Sequence, residues 1–464
     1  MFINASFACS GQREFYSDAS GQSVSIEFLH HYILGNYRRL YVRTLAAGVN
    51  HFNQSQIVFN VLATGADTQP QDRAEENALI TAALAKLPPQ RVYRLFDSLR
   101  ARRVNNRRTR AVMRAYIAGR RDIAFDAIKY RQRLRVAASH AHLALPGEIG
   151  AFLFRGWRQR TFSTELLETF RQAHFSKAAL YRLPYSVAEG FAAKHGVPRG
   201  EFLAGIAEQM TSNEKLRMQR ASARSGVALD IDLARAPLTR LAIYVAALTA
   251  SERAERAAEL HQALTEAAKR AARKSQRQLG RVVAVLDRSY SSSGTSEKRR
   301  RPLAVAIAAS YLLRQAATEY RALWTPALDQ ADDLHATAAG QTDLAGPLID
   351  ALKWRPDLIV MVSDGYENSP PGAACQVVRA YQRLIPGARE VSIVHLNPVF
   401  DAEHYAPKTL GAEVPTVGLR DAEDVFTMIG FARFADGKLP LSELEGYLEA
   451  RVGQFLSSAR GARS

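Results

Sequence analysis

The sequence changes its period at Gly280, and that change limits the possible folds more than any other feature. Beyond it, RVVAVLD (281–287), EYRALWT (319–325), LIVMVSD (358–364) and EVSIVHL (390–396) are β-rich runs. Helical stretches separate them at about 299–317, 342–353 and 373–384; a short strand near 415–418 and a helix from Asp421 follow. Strands alternating with helices predict a doubly wound parallel sheet, and unbroken apolar runs such as LIVMV are what burial on both faces demands. Open sheets of this kind hold their sites beyond the carboxyl ends of the strands.

Before Gly280 the period is helical. Val92, Leu95, Phe96 and Leu99 fall at i, i+3, i+4 and i+7, one face of a helix. Further helices are expected at about 24–47, 76–87, 106–118, 122–142, 164–174, 177–181, 185–195, 199–210, 238–249 and 251–279. Short loops between consecutive helices make antiparallel neighbours, so an α-solenoid or irregular helical array is expected over 1–279, followed by the α/β domain over 280–464. Residues 48–65 suit either a strand or a buried helix, and 210–240 reads as a loose, polar and basic connection.

The 464 residues are too many for one core, and a hydrophobic content of 47% excludes a disordered chain. The formal charge of +17 is unevenly placed: residues 281–464 carry 20 basic and 22 acidic groups, leaving 42 against 23 for residues 1–280. A coding bias accounts for 51 Arg against 11 Lys, but acting along the whole gene it would tilt both halves. A basic half beside a near-neutral half points to a polyanionic partner. Two cysteines, Cys9 and Cys375, exclude a disulfide framework and a cysteine-built zinc site. The first residues lack a basic leader, and no window reaches the roughly 18–20 apolar residues of a membrane span, so a cytoplasmic protein without membrane contact is expected.

Strand 281–287 ends on Asp287 and continues D-R-S-Y-S, bringing Ser289 and Ser291 at alternate positions. GQTDL places Thr342 at a helix start, and VSDG places Asp364 at another strand end. Two carboxylates and three hydroxyls at one sheet edge make a hard-oxygen set suited to Mg²⁺ or Mn²⁺. Arg288 adjoins Asp287 as a candidate pairing partner, and the loop through 301 is long and basic, with Ser292 and Ser293 as alternative hydroxyls.

Residues 91–135 hold 15 basic groups against Asp97, Asp122 and Asp126. Arg102, Arg103, Arg107, Arg108, Arg110, Arg114, Arg120, Arg121, Lys129, Arg131, Arg133 and Arg135 are the candidate RNA contacts, with Asn105 and Asn106 as turn residues exposing the arginines. Guanidinium groups bind phosphate bidentately and stack on bases; Tyr116, Phe125 and Tyr130 offer either aromatic faces or core packing. A phosphate loop, an H-E-x-x-H motif and a G-x-S-x-G elbow are all missing, so no catalysis is expected.

The D-x-S-x-S motif with Thr342 and Asp364 resembles the metal-ion-dependent adhesion site of the von Willebrand factor A domain. There these residues surround one divalent ion, some through water, and a partner's carboxylate can complete the shell. The whole layout, with MTSNEKL, ARAPLTRLAIYVAAL, RVVAVLDRS, GQTDL and LIVMVSDGYEN in order, resembles the Ro autoantigen (TROVE) family. That resemblance implies HEAT-like helical repeats, in the family closed into a ring, and an RNA-binding function in which small noncoding or misfolded RNA is held for stability or quality control. The alternative is a metal-dependent protein-interaction scaffold whose A domain docks an acidic partner loop.

Overall fold

The computed structural model describes residues 1–158, 161–275, 278–330, 332–387, 390–435 and 439–461. The chain forms two compact units, one of Met1–Asn53 with Leu233–Gly453, the other of Gln54–Asp232 with Gln454–Ser464.

The first unit is built on five parallel strands: β1 (Leu279–Asp287), β2 (Ala317–Thr325), β3 (Leu358–Val362), β4 (Ser392–Asn397) and β5 (Thr416–Gly418), in the order β2-β1-β3-β4-β5. β3 is buried at every residue, as its unbroken apolar sequence requires. The helix Arg301–Ala316 packs on β1 and β2 and is buried almost throughout. The opposite face carries Ala345–Lys353 and Ala373–Leu384, whose Leu348, Leu352, Ala374 and Val378 pack with Val283, Val285, Ile359 and Met361.

The change of period at Gly280 marks where helix gives way to strand, but the packing unit does not end there. The helices Leu238–Ala247 and Ala257–Ser275 pack against Arg301–Ala316. At the far edge, Phe2–Ala8 covers β5: the Asn4 amide donates to Thr416 O at 2.8 Å and accepts from Gly418 N at 2.6 Å. A Cβ at Gly418 would lie 2.7 Å from Asn4 O, so only glycine admits this approach. An edge strand otherwise presents unpaired backbone groups, and the N-terminal helix satisfies them.

The second unit is helical. Residues 51–63 resolve as the helix His51–Ala63, settling the strand-or-helix ambiguity. The expected helix at 122–142 breaks at Tyr130 into Ile123–Lys129 and Arg131–His140. The expected loose connection instead contains a helix, Ser212–Arg224, opened by a capping box in which Thr211 and Glu214 satisfy each other's backbone N–H groups. The T-x-x-E signal was present in TSNE. Among the described residues no helix is long and apolar enough to cross a membrane.

Candidate metal centre and basic surface

Backbone hydrogen bonds stitch three loops together at the carboxyl edge of β1 and β3. Arg288 N donates to Thr325 O at 2.8 Å, Ala339 N to Arg288 O at 2.8 Å, and Tyr290 N to Gly340 O at 3.0 Å. The second loop is held to the third through Thr342 N to Asn368 Oδ1 at 2.9 Å and Ser369 N to Thr342 O at 3.1 Å. Gly365, at φ +79°, turns the chain immediately after Asp364; a side chain there would meet Lys408 O.

Asp287, Ser289, Ser291, Thr342 and Asp364 are all buried. Asp287 Oδ1 accepts from Ser289 N at 2.7 Å, and the Ser289 and Ser291 hydroxyls lie 3.3 Å apart. Asp364 accepts from Tyr366 N at 3.1 Å and from the Ser291 hydroxyl. Burial pushes both carboxyls above the usual range, and the charge of Asp364 raises Asp287 further. Neither has a basic side-chain partner among the described residues. Arg288 turns elsewhere: its guanidinium donates to the carbonyls of Pro326, Thr337 and Ala327 at 2.9, 3.0 and 2.7 Å. The suspected Arg288–Asp287 pair is therefore not formed.

No group of three or more His, Cys, Asp and Glu side chains converges on a metal site among the described residues. The donor set here is instead two carboxylates among hydroxyls. Uncompensated buried negative charge together with hard oxygens fits a small divalent cation.

The length of the first loop has a structural use that its sequence does not disclose. Thr295 Oγ1 donates to Arg13 O at 3.1 Å, Arg13 N donates to Glu297 Oε2 at 3.2 Å, and Lys298 forms a buried ion pair with Glu14. This grip brings Phe15 against Tyr290 and lays Tyr16 on Tyr366. The Tyr16 hydroxyl bonds Ser291 and lies in the field of Asp364 and Asp287. Ser292 Oγ is buried and has no hydrogen-bond partner among the described residues.

In the helical unit, the twelve basic candidates fall into two sets. Arg120 Nε donates to the fully buried Asp126 at 2.5 Å, and Asp126 also accepts from Tyr93 Oη at 2.8 Å. Arg108 pairs with buried Glu76 at 2.8 Å and bonds Asn77 and Thr68. Arg114 donates to the carbonyls of Ala141 and His142, closing a helix end. Arg133 pairs with Asp97 at 3.1 Å and Lys129 with Glu214 at 3.7 Å. By contrast Arg102, Arg103, Arg107 and Arg135 are exposed, and they and half-buried Arg110 have no side-chain partner among the described residues; Arg121 and Arg131 are also exposed. Asn106 is not a simple turn residue: it caps Arg107–Ala118, accepting from Thr109 N at 2.8 Å.

Of the aromatic candidates, Tyr116 and Tyr130 pack on Tyr93, and Phe125 is half-buried beside the Lys129 ammonium. Exposed rings of the unit lie elsewhere, at Phe154 and Phe175. The sequence carries no periodic signal for them, because an exposed aromatic in a helical array looks like one more core position.

No family model matches the chain. No curated protein matches it either. Among solved structures it is similar to the crystal structure of the Deinococcus radiodurans Ro (RSR) protein, with 17% identity, a TM-score of 0.41, and coverage of 86% of this chain and 94% of that one.

Proposed function

We propose that this chain is a non-catalytic, cytoplasmic RNA-binding protein of the Ro type, holding small noncoding or misfolded RNA on its helical unit. The carrying observation is the row of unpartnered arginines, Arg102, Arg103, Arg107 and Arg110, around the start of one helix with no carboxylate between them in sequence. Unpaired guanidinium groups at such density repel one another, and a polyphosphate partner relieves that repulsion by releasing its counterions. The sequence motifs supply the family reading.

Asp287, Ser289, Ser291, Thr342 and Asp364 would hold one Mg²⁺ or Mn²⁺, which neutralises the two buried carboxylates and offers an electrophilic coordination site when bound. That donor set also favours the second reading, a scaffold that docks an acidic protein loop at the metal.

The test is the charge reversal of Arg102, Arg103 and Arg107 together, followed by titration with a structured small RNA at several salt concentrations. Loss of affinity with a shallower salt dependence supports RNA binding. Unchanged affinity and slope would falsify it. Purified protein free of nucleic acid that captures an acidic peptide only with Mg²⁺ selects the scaffold.

A further inference from the structure

We propose that the free edge of β2 docks a basic, extended peptide segment of a partner protein, which pairs with the strand and sets its cations against Asp343 and Asp350. The proposal uses neither the arginine surface nor the five candidate metal ligands, so it stands apart from both readings above.

The two edges of the sheet are finished differently. Phe2–Ala8 covers β5, whereas β2 has β1 on one side and no strand on the other among the described residues. Thr325 O accepts from Arg288 N, so Thr325 turns its backbone toward β1. Alternation along the strand then turns the N–H and C=O groups of Tyr320, Ala322 and Trp324 outward. No hydrogen bond to those outward groups is formed among the described residues. Proteins usually blunt such an edge with charge, proline, a bulge or a cover. Here Ala322–Thr325 carries no charge and no proline, and the ladder to β1 runs without a bulge from Arg281↔Glu319 to Asp287↔Thr325.

A groove of about 940 Å³ lies along this edge, lined by Ala322, Trp324, Arg314, Asp343, Pro347 and Asp350 among others. Arg314 belongs to the helix on one face of the sheet, and Pro347 and Asp350 to the helix on the other, so the groove spans the sheet as one more strand does. Its charge is acidic. Arg314 is neutralised by buried Asp333 at 2.7 Å, which also accepts from Ser310 Oγ and Trp324 Nε1. Asp343 accepts from Gly346 N at 3.0 Å and has no basic side-chain partner among the described residues. Lys353, 2.9 Å from Asp350, is itself exposed and screens it weakly.

Unpaired backbone groups in a row select an extended chain, whose own N–H and C=O groups match them at each second residue. Uncompensated carboxylates beside that row select Lys or Arg on the incoming strand and repel an acidic loop or a polyphosphate. The net charge of +17 opposes attachment of a cationic peptide elsewhere on the chain.

The experiment measures fluorescence anisotropy of a labelled peptide of alternating Lys and Val, about six residues long, with the full chain. Ala322→Pro removes one outward donor while sparing the ladder to β1, and is expected to weaken binding about tenfold or more. Asp343→Asn with Asp350→Asn is expected to weaken it about two- to tenfold at low salt, with the difference vanishing at high salt. The same peptide N-methylated at alternate residues keeps its charge and loses donors, so it should bind as weakly as the parent peptide binds Ala322→Pro, a readout that holds even where that variant fails to fold. Equal binding of the methylated and parent peptides overturns strand pairing. Absence of peptide binding at millimolar concentration overturns the site, and a dimer that Ala322→Pro dissolves, with no peptide bound, assigns the edge to a second copy instead. These failures leave the RNA and metal readings standing.

Discussion

The rings of Tyr16 and Tyr366 lie 3.9 Å apart, centre to centre, although the two residues come from the two separate stretches of chain, Met1–Asn53 and Leu233–Gly453, that make up the first unit. Tyr366 follows Asp364 by two positions, and Tyr16 arrives on a segment pinned by Glu14 and Lys298. The N-terminal strap thus screens the rim on which the metal-ligating candidates stand. Tyr16→Ala is expected to increase the water-proton relaxation produced by Mn²⁺ in the protein, because more solvent reaches the ion. Tyr16→Phe, which keeps the ring stack, should change it less. Equal relaxation in all three proteins would show that the ring screens nothing.

The metal site makes a thermodynamic prediction. A ligand that binds only the folded state stabilises it by about 2.7 kcal/mol at a hundred times its dissociation constant. Mg²⁺ or Mn²⁺ should therefore raise the melting temperature of the wild-type chain and leave that of Asp364→Asn unmoved. In metal-free buffer the variant should be no less stable than the parent, since the substitution relieves repulsion between two buried carboxylates. A melting temperature insensitive to both ions in the wild type refutes the site.

The division of the arginines predicts opposite phenotypes for like substitutions. Arg120→Ala leaves the buried Asp126 without its cation and should cost about 3 kcal/mol of stability, read from urea unfolding. Arg107→Ala touches an exposed, unpartnered side chain and should stay within about 0.5 kcal/mol while lowering RNA affinity. If both destabilise equally, the distinction between fold-supporting and free arginines fails.

Buried histidines set a pH dependence. His30 hydrogen-bonds Tyr41 Oη at 2.7 Å and Asn53 Oδ1 at 2.9 Å, and burial pushes its pKa down to about 4. The unfolded chain then takes up this proton before the folded one does. The contribution is complete above about pH 6.5 and is lost as the pH falls towards 4, at about 1.4 kcal/mol per pH unit. Buried carboxyls with raised pKa act in the opposite direction, so the clean readout is the difference between wild type and His30→Gln at pH 7 and pH 5. The variant's deficit should shrink at pH 5; a constant deficit would contradict the assignment.

Much of the first unit was legible because its determinants are local. Short unbroken apolar runs such as LIVMV that alternate with helical stretches fit strands buried on both faces of a parallel sheet, and a carboxylate at a strand end lies on the edge where such sheets place their sites. Asp287, Ser289, Ser291 and Asp364 could be named together for that reason, and the structure gathers them. Thr342 reaches the same rim through backbone bonds to the Asn368–Ser369 turn.

Tertiary structure alone decided which charges are free and what covers the site. Arg107 and Arg108 are neighbours with the same side chain, yet one is exposed and the other is paired with buried Glu76, 32 positions away. Helical rotation of about 100° per residue sends them to different surroundings, and the packing of another helix decides which surroundings hold an acid. Likewise nothing near Tyr16 marks it as a neighbour of Asp364. That contact exists because Phe2–Ala8 closes the β5 edge and the loop after Asp287 reaches back to hold Arg13 and Glu14. Sequence determined the period of each segment and the chemistry of its ends; long-range packing determined which of those ends meet.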